Sequence, residues 1–180
     1  MSTITGIVMA GGKSSRMGTN KALLPFQGKR LIDRSVETLL PLVNKIIISS
    51  NEPLPELPYP QIADSVEAIG PLGGLQACLN FSSTEWNMLI PCDTPFLSDS
   101  LYQQMLQHTT AVDAVIVTHS KGKIEPLIGL YNRCLVPLIE EQIARGDYKL
   151  INLLRRARVF YFETYEVSQF RNMNHPGDLL

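Results

Sequence analysis

Apolar positions along the chain switch repeatedly between two periods. Residues 3–9 read as a short apolar strand, after which Leu31, Ile32, Val36, Leu39, Leu40 and Val43 recur at helical spacing. Lys45-Ile46-Ile47-Ile48-Ser49 is a continuous apolar run of the kind buried on both faces of a parallel sheet. Pro53, Pro55, Pro58 and Pro60 mark an extended loop, and Gln61-Ile62-Ala63-Asp64 resumes an extended piece. Gly70-Pro71-Leu72-Gly73-Gly74 opens a helix that carries Leu75, Leu79 and Phe81. Residues 86–91 form another apolar strand, and Ser98 is placed to N-cap a helix with Leu101, Met105 and Leu106 inward. Strands over 114–118 and 126–131 flank the polar turn Ser120-Lys121-Gly122-Lys123. A helix over 135–145 stops at Gly146, where glycine suits a left-handed C-terminal turn. A short helix over 149–156 and a strand over 158–163 follow.

Strands alternating with helices predict an α/β fold with a mainly parallel sheet and helices on both faces. The link around Lys121-Gly122 is too short for a parallel crossover, so one antiparallel strand is expected in the sheet. With 180 residues, no internal repeat and no low-complexity stretch, residues 1–180 are expected to form one domain.

Composition narrows the function classes. Hydrophobic residues make up 44% and charged residues 18%, as in ordinary globular chains. A formal net charge of −1 supplies no global field toward nucleic acid or an anionic membrane. The N-terminus lacks a basic region followed by a long apolar run, so a cytoplasmic protein is expected, without nucleic-acid or membrane partners. Cys78, Cys92 and Cys134 form no C-x-x-C, and His108, His119 and His175 show no metal-ligand spacing.

Chemistry concentrates in the loop after the first strand. Gly11, Gly12 and Gly18 stand among the cations Lys13, Arg16 and Lys21, with no acidic side chain between. Glycines let successive backbone N–H groups close on an anion, and the cations neutralise what the backbone cradles. A polyphosphate is the expected guest. A Walker A loop is excluded, because five residues separate Gly6 from Gly12-Lys13 and the motif needs four between its first glycine and Gly-Lys-Ser/Thr. The glycine positions do not fit G-x-G-x-x-G either.

Ligands of open α/β sheets bind beyond the carboxyl ends of the strands. That rule gathers Met9-Ala10-Gly11-Gly12, Asn51, Asp64 and Pro91-Cys92-Asp93-Thr94-Pro95 on one edge. Asp93, directly after a buried strand and near a phosphate loop, suits Mg²⁺, which takes one or two carboxylates plus phosphate oxygens. Asp64 can accept hydrogen bonds from a base or ribose, or close a turn, and Asn51 is also common turn material. Gly70–Gly74 either lets a ligand approach a helix N-terminus or punctuates a turn. Asn172 and Asn174 fall on one side of an extended piece and suit a hydrogen-bonding heterocycle, or are simply exposed amides.

Met9-Ala10-Gly11-Gly12-Lys13-Ser14-Ser15-Arg16-Met17-Gly18 with Lys21 resembles the signature of small nucleotidyltransferases that move a nucleoside monophosphate from an NTP. Ala-Gly-Gly in place of Ala-Ala-Gly, together with Gly70–Gly74, Pro91–Phe96 and Asn172-Met173-Asn174-His175-Pro176, is similar to the molybdenum cofactor guanylyltransferases. The resemblance runs over essentially the whole chain. It implies a Rossmann-like nucleotidyltransferase fold and GMP transfer from GTP to the terminal phosphate of molybdopterin, with release of pyrophosphate. It also implies that Met9, Ala10, Gly11, Gly12 and Lys21 hold GTP, that Asn51 and Asp64 meet its nucleoside end, and that Asp93 carries Mg²⁺. Lys21, Arg16 and Asp93 would form the catalytic group, and Asn172 and Asn174 the pterin side. Transient contact with molybdenum-insertion or molybdoenzyme-maturation proteins is implied as well.

One position departs from the family pattern, which has Asp where this chain has Asn20. Relatives also continue a helix after Pro176-Gly177-Asp178, so a further terminal turn is expected. A cytidylyltransferase acting on molybdopterin, or a relative acting on sugar or alcohol phosphates, would share the loop, the lysine and the metal residue. A nucleotide-binding regulatory module without chemistry is the reading from another class.

Overall fold

The computed structural model describes residues 3–11, 20–66, 68–120 and 122–173. Nine strands and five α-helices are described: β1 (Ile4–Met9), β2 (Pro25–Phe26), β3 (Lys29–Arg30), α1 (Leu31–Leu39), β4 (Lys45–Ser49), β5 (Gln61–Ile62) and α2 (Pro71–Phe81) come first. They are followed by β6 (Trp86–Pro91), α3 (Asp99–Met105), β7 (Ala114–His119), β8 (Lys123–Asn132), α4 (Val136–Ala144), α5 (Leu150–Arg156) and β9 (Val159–Glu163).

Seven strands form one sheet in the order β5-β4-β1-β6-β8-β7-β9. The β4–β5, β1–β4, β1–β6 and β7–β9 pairings are parallel, whereas β8 runs antiparallel to both neighbours. The expected single antiparallel strand is therefore β8, returned from β7 by a tight turn with positive φ at Ser120 and Gly122. β2 and β3 form a separate two-stranded hairpin that apolar periodicity did not signal, because each strand is two residues long.

Alternate strand residues feed two cores. Val8, Ile46, Ile48, Met88, Ile90, Val115 and Val117 face α1 and α3. Ile7, Met9, Ile47, Leu89, Ala114 and Ile116 face α2, α4 and α5. The period of two along each strand thus covers both faces with helices. Gly6 leaves room for α1 to approach β1, since a Cβ there would lie 2.9 Å from Leu39 Cδ1 and 3.0 Å from Ile46 Cδ1.

Helix ends follow local chemistry. α1 ends at Leu39 rather than continuing to Val43: Leu40 still has helical geometry and bonds back to Val36 O, but Pro41 has no N–H to carry the ladder further. α2 begins with Pro71 at its first position and Gly70 at φ 72°, a left-handed conformation that glycine adopts without strain. Ser98 accepts a hydrogen bond from Leu101 N at the start of α3, as its position predicted.

Candidate functional site

The carboxyl ends of β5, β4, β1 and β6 lie side by side, and the backbone ladder continues past them. Ala10 N donates to Ser49 O (2.9 Å), Ser50 N to Ile62 O (3.0 Å) and Cys92 N to Met9 O (3.1 Å). These bonds hold the segments after four strands on one edge, so residues distant in sequence share a site.

Lys21 and Asp93 are brought together there. Lys21 starts a short 3-10 turn over Lys21–Leu23, and its Nζ lies 2.8 Å from Asp93 Oδ2. Their side chains are 19% and 27% exposed, half-sheltered from water yet open to a ligand. Asn20 caps the turn: its Oδ1 accepts from Ala22 N (3.0 Å), and its Nδ2 donates to Glu52 Oε2 (3.2 Å). An amide fits both contacts, whereas a carboxylate could make the first but would repel Glu52. The departure at Asn20 thus preserves the turn that carries Lys21.

A second cluster is built from the ends of β1, β4 and β5. Asn51 Oδ1 accepts from Asp64 N at 2.7 Å, so Asn51 orients the Asp64 loop. A Cβ on Gly74 would collide with Ser49 Oγ and lie 2.9 Å from Met9 Cε and 3.3 Å from Asp64 Oδ1. A Cβ on Gly73 would lie 2.8 Å from Ile69 Cγ1 and 3.3 Å from Asp64 Oδ2. These two glycines admit the protein's own side chains against the first turn of α2, rather than leaving backbone open to a ligand. Met9 and Ala10 are buried, whereas Gly11 and Asn51 are exposed on the edge.

Asp64 and Asp93 do not share one centre. They follow strands that stand three positions apart in the sheet, about 14 Å at the usual strand spacing. Asp93 therefore stands at the Lys21 end of the edge and Asp64 at the far end. Among the described residues no group of three or more His, Cys, Asp and Glu side chains is arranged to hold a metal ion. The donor set still fits Mg²⁺, an ion that takes one or two carboxylates and completes its shell with phosphate oxygens and water.

The C-terminal segment reaches the same edge. Gln169 Oε1 accepts from Ser98 N (3.0 Å), and Met173 N donates to Asp93 O (2.8 Å). Met173 also packs with Phe26 and Leu31, so the β2–β3 hairpin helps seat this segment. Asn172 is exposed beside Asp93's loop. Gly12, Arg16 and Asn174 lie outside the described residues. Two partners escaped the sequence reading: Glu52, which gave no periodic signal, and Met173, whose contact with Asp93's loop runs through backbone. Asn20's capping role was detectable, since asparagine before a helical turn is a common N-cap.

Burial pushes the Cys78 and Cys92 thiols up to about 12, although a Ser49 hydrogen bond to Cys78 and Lys21 near Cys92 oppose it. Neither thiol supplies a nucleophile near neutral pH. A pocket of about 360 Å³ between Leu40, Tyr59 and Phe81 opens at the other end of β1 and β4, beside Thr5 and Lys45. It is separate from this edge.

Known proteins match this arrangement. The chain is 34% identical to the probable molybdenum cofactor guanylyltransferase of Flavobacterium johnsoniae, over 99% of this chain and 96% of that protein. It is 32% identical to the molybdenum cofactor guanylyltransferase of Photobacterium profundum, covering 96% of this chain and 92% of that one. The crystal structure of molybdopterin-guanine dinucleotide biosynthesis protein A from Archaeoglobus fulgidus superposes with a TM-score of 0.79 at 23% identity, over 97% of this chain and 94% of that chain, which shows the shared fold. Residues 6–160 match the MobA-like NTP transferase domain, and the chain belongs to that family of nucleotidyltransferases.

Proposed function

We propose that this protein transfers GMP from GTP to molybdopterin, giving the guanine dinucleotide form of the cofactor and pyrophosphate. The Lys21–Asp93 pair at 2.8 Å carries the reading, because it sets a cation and a carboxylate beside the loop after β1. The names of relatives that match along nearly their full length supply the substrates. One sheet taking strands from residue 4 to residue 163 supports reading residues 1–180 as one domain.

In this reading the acceptor's phosphate oxygen attacks the α-phosphorus of GTP. A new P–O–P linkage forms, the bond to the β-phosphate breaks, and pyrophosphate leaves with its electron pair. The attacking oxygen is already anionic, so no side-chain nucleophile or base is needed. The protein's task is to hold two anions in line and offset their repulsion. Lys21 lies beside the phosphates, and Arg16 is assigned to the same loop. Met9, Ala10, Gly11 and Gly12 carry the backbone that faces the triphosphate, while Asn51 and Asp64 take the nucleoside end. Asn172 and Asn174 are assigned to the pterin, with Asn172 exposed next to Asp93's loop. Asp93 would hold Mg²⁺, which when bound neutralises phosphate charge and makes pyrophosphate a better leaving group.

The reaction is assigned to the cytoplasm, with transient hand-over to proteins that insert molybdenum or mature molybdoenzymes. Among the described residues no helix is long and apolar enough to cross a membrane. The test is pyrophosphate release by the purified protein with molybdopterin and Mg²⁺, supplied with GTP or CTP at matched concentration. Release with GTP and little with CTP is expected. Release driven by CTP, or none with either, overturns the reading.

A further inference from the structure

A buried histidine paired with a partly exposed glutamate lies on the same edge, outside the Lys21–Asp93 site. His119 closes β7 and is 3% exposed. Its Nε2 lies 2.9 Å from Glu125 Oε1, and its Nδ1 lies 3.0 Å from Ser120 Oγ. With Glu125 as acceptor, Nε2–H donates to the carboxylate and Nδ1 accepts from the Ser120 hydroxyl. Lys123 Nζ reaches the same Glu125 Oε1 at 2.7 Å. The carboxylate is thus held from two sides through one oxygen, while its side chain remains 21% exposed.

Two features aim this pair at the transfer site. First, the β7–β8 register jumps: Ile116 pairs with Gly129, but Val117 pairs with Glu125, so residues 126–128 bulge out of the ladder. The β6–β8 pairing ends at Leu89 and Gly129, leaving Ile90 and Pro91 to run on toward Asp93 without β8 beside them. Glu125 stands at this end of β8, on the same carboxyl edge as the loop that carries Asp93. Bulges of this kind re-aim side chains next to active sites. Second, Phe170 stacks on the His119 ring with centroids 4.4 Å apart and planes 7° from parallel. Three residues later Met173 N bonds to Asp93 O. Residues 170–173 therefore strap the His119–Glu125 pair to Asp93, with exposed Asn172 between the two anchors.

We propose that Glu125 is a specificity-determining residue of the acceptor subsite, where its carboxylate accepts hydrogen bonds from the N–H edge of an aminopyrimidinone ring such as a pterin. The nature of the ring rests on the GMP-transfer reading above; the position of the carboxylate does not. An aminopyrimidinone presents a ring N–H and an adjacent amino group, donors for Oε2, the oxygen that His119 and Lys123 do not contact, and such charge-assisted bonds are the strong ones. Holding the strap needs only the His119–Phe170 stack. The His119 and Lys123 contacts fix a partly exposed Glu125 carboxylate at the edge, which a clamp does not require.

The test compares wild type with Glu125→Gln and Glu125→Asp by fluorescence titration of molybdopterin and by pyrophosphate release with GTP. Glu125→Gln is expected to weaken pterin binding and raise the acceptor KM by roughly tenfold or more, with the GTP KM within about twofold. Glu125→Asp, which keeps the charge on a shorter stem, should recover part of that loss. Unchanged pterin affinity in Glu125→Gln overturns the proposal, as does an equal loss of GTP and pterin binding with a lowered Tm. A wild type that binds the pterin but releases no pyrophosphate with GTP overturns the GMP-transfer reading alone; the effect of Glu125→Gln on binding still decides the role of Glu125.

Discussion

Lys21 and Asp93, 72 residues apart in sequence, meet at 2.8 Å on the carboxyl edge of the sheet. Each is the partner the other needs when no substrate is present. With side chains 19% and 27% exposed, the pair is screened enough by water to contribute at most about 1 kcal/mol to stability. Its larger consequence is placement, because it holds the lysine at the carboxyl edge, where the proposed function puts the developing phosphate charge.

Replacing either residue should therefore separate activity from folding. Lys21→Ala and Asp93→Ala are each expected to lower kcat by roughly 100- to 1,000-fold, the usual effect of removing one transition-state contact. Thermal unfolding should shift by only a few degrees. Wild-type turnover in either purified variant would remove that residue from the transfer step.

Asn20 gives a second test, on the turn that carries Lys21. Asn20→Ala loses the cap to Ala22 N and should cost about 1 kcal/mol, read by urea denaturation. Asn20→Asp keeps the cap but sets a carboxylate against Glu52, which now accepts a hydrogen bond from the Asn20 amide. It should be destabilised by less than the alanine variant, and adding Glu52→Gln should restore the loss. A double variant no more stable than Asn20→Asp alone would show that the two side chains are uncoupled.

The edge was legible in the sequence because it follows from strand order. Apolar runs ending at Met9, Ser49 and Pro91 place Asp93 and the first loop together once the sheet is parallel. The glycines of α2 were less legible. Gly73 and Gly74 stand where a ligand contact or a packing contact would leave the same residue type, and only the positions of Asp64, Ser49 and Met9 decide for packing. The bulge in β8 left one mark, Pro126, which at the start of an apolar run reads equally as the first residue of a strand. The hairpin at Pro25–Arg30 was invisible for a different reason: two-residue strands are too short to show a period.

That packing role can be measured. Gly74→Ala would drive a methyl into Ser49 Oγ and within 2.9 Å of Met9 Cε, so α2 must shift or the side chains must move. A cost of about 1–3 kcal/mol is expected, as for overpacked cores. Because Met9, Ser49 and Asp64 all lie around Gly74, the proposed assignment of Met9 and Asp64 to GTP predicts that the GTP KM rises with it. A variant as stable as wild type with unchanged GTP KM would show that the helix end accommodates a methyl freely.

Asp113 makes acid stability readable at a place far from the transfer chemistry. Arg158 donates from Nε and Nη2 to its two carboxylate oxygens at 3.1 and 2.5 Å, and Arg158 N adds a bond at 2.9 Å. Asp113 N and O bond in turn to Arg158 O (2.7 Å) and Asn132 N (2.9 Å), so the group ties the entries of β7 and β9 to the end of β8. The Arg158 side-chain hydrogen bonds hold the Asp113 carboxyl below the usual carboxylate range, against an opposing effect of burial. A carboxyl whose folded value is depressed stabilises the fold above its unfolded value, near 3.9, and loses that contribution as pH falls through the folded value. Asp113→Asn should therefore be less stable than wild type at neutral pH, and the gap should close as the pH is lowered through about 4 and below. Denaturant unfolding of both proteins between about pH 2 and pH 6 reads this directly. A gap that stays constant across that range would mean that the ionised form of Asp113 contributes nothing that its amide does not.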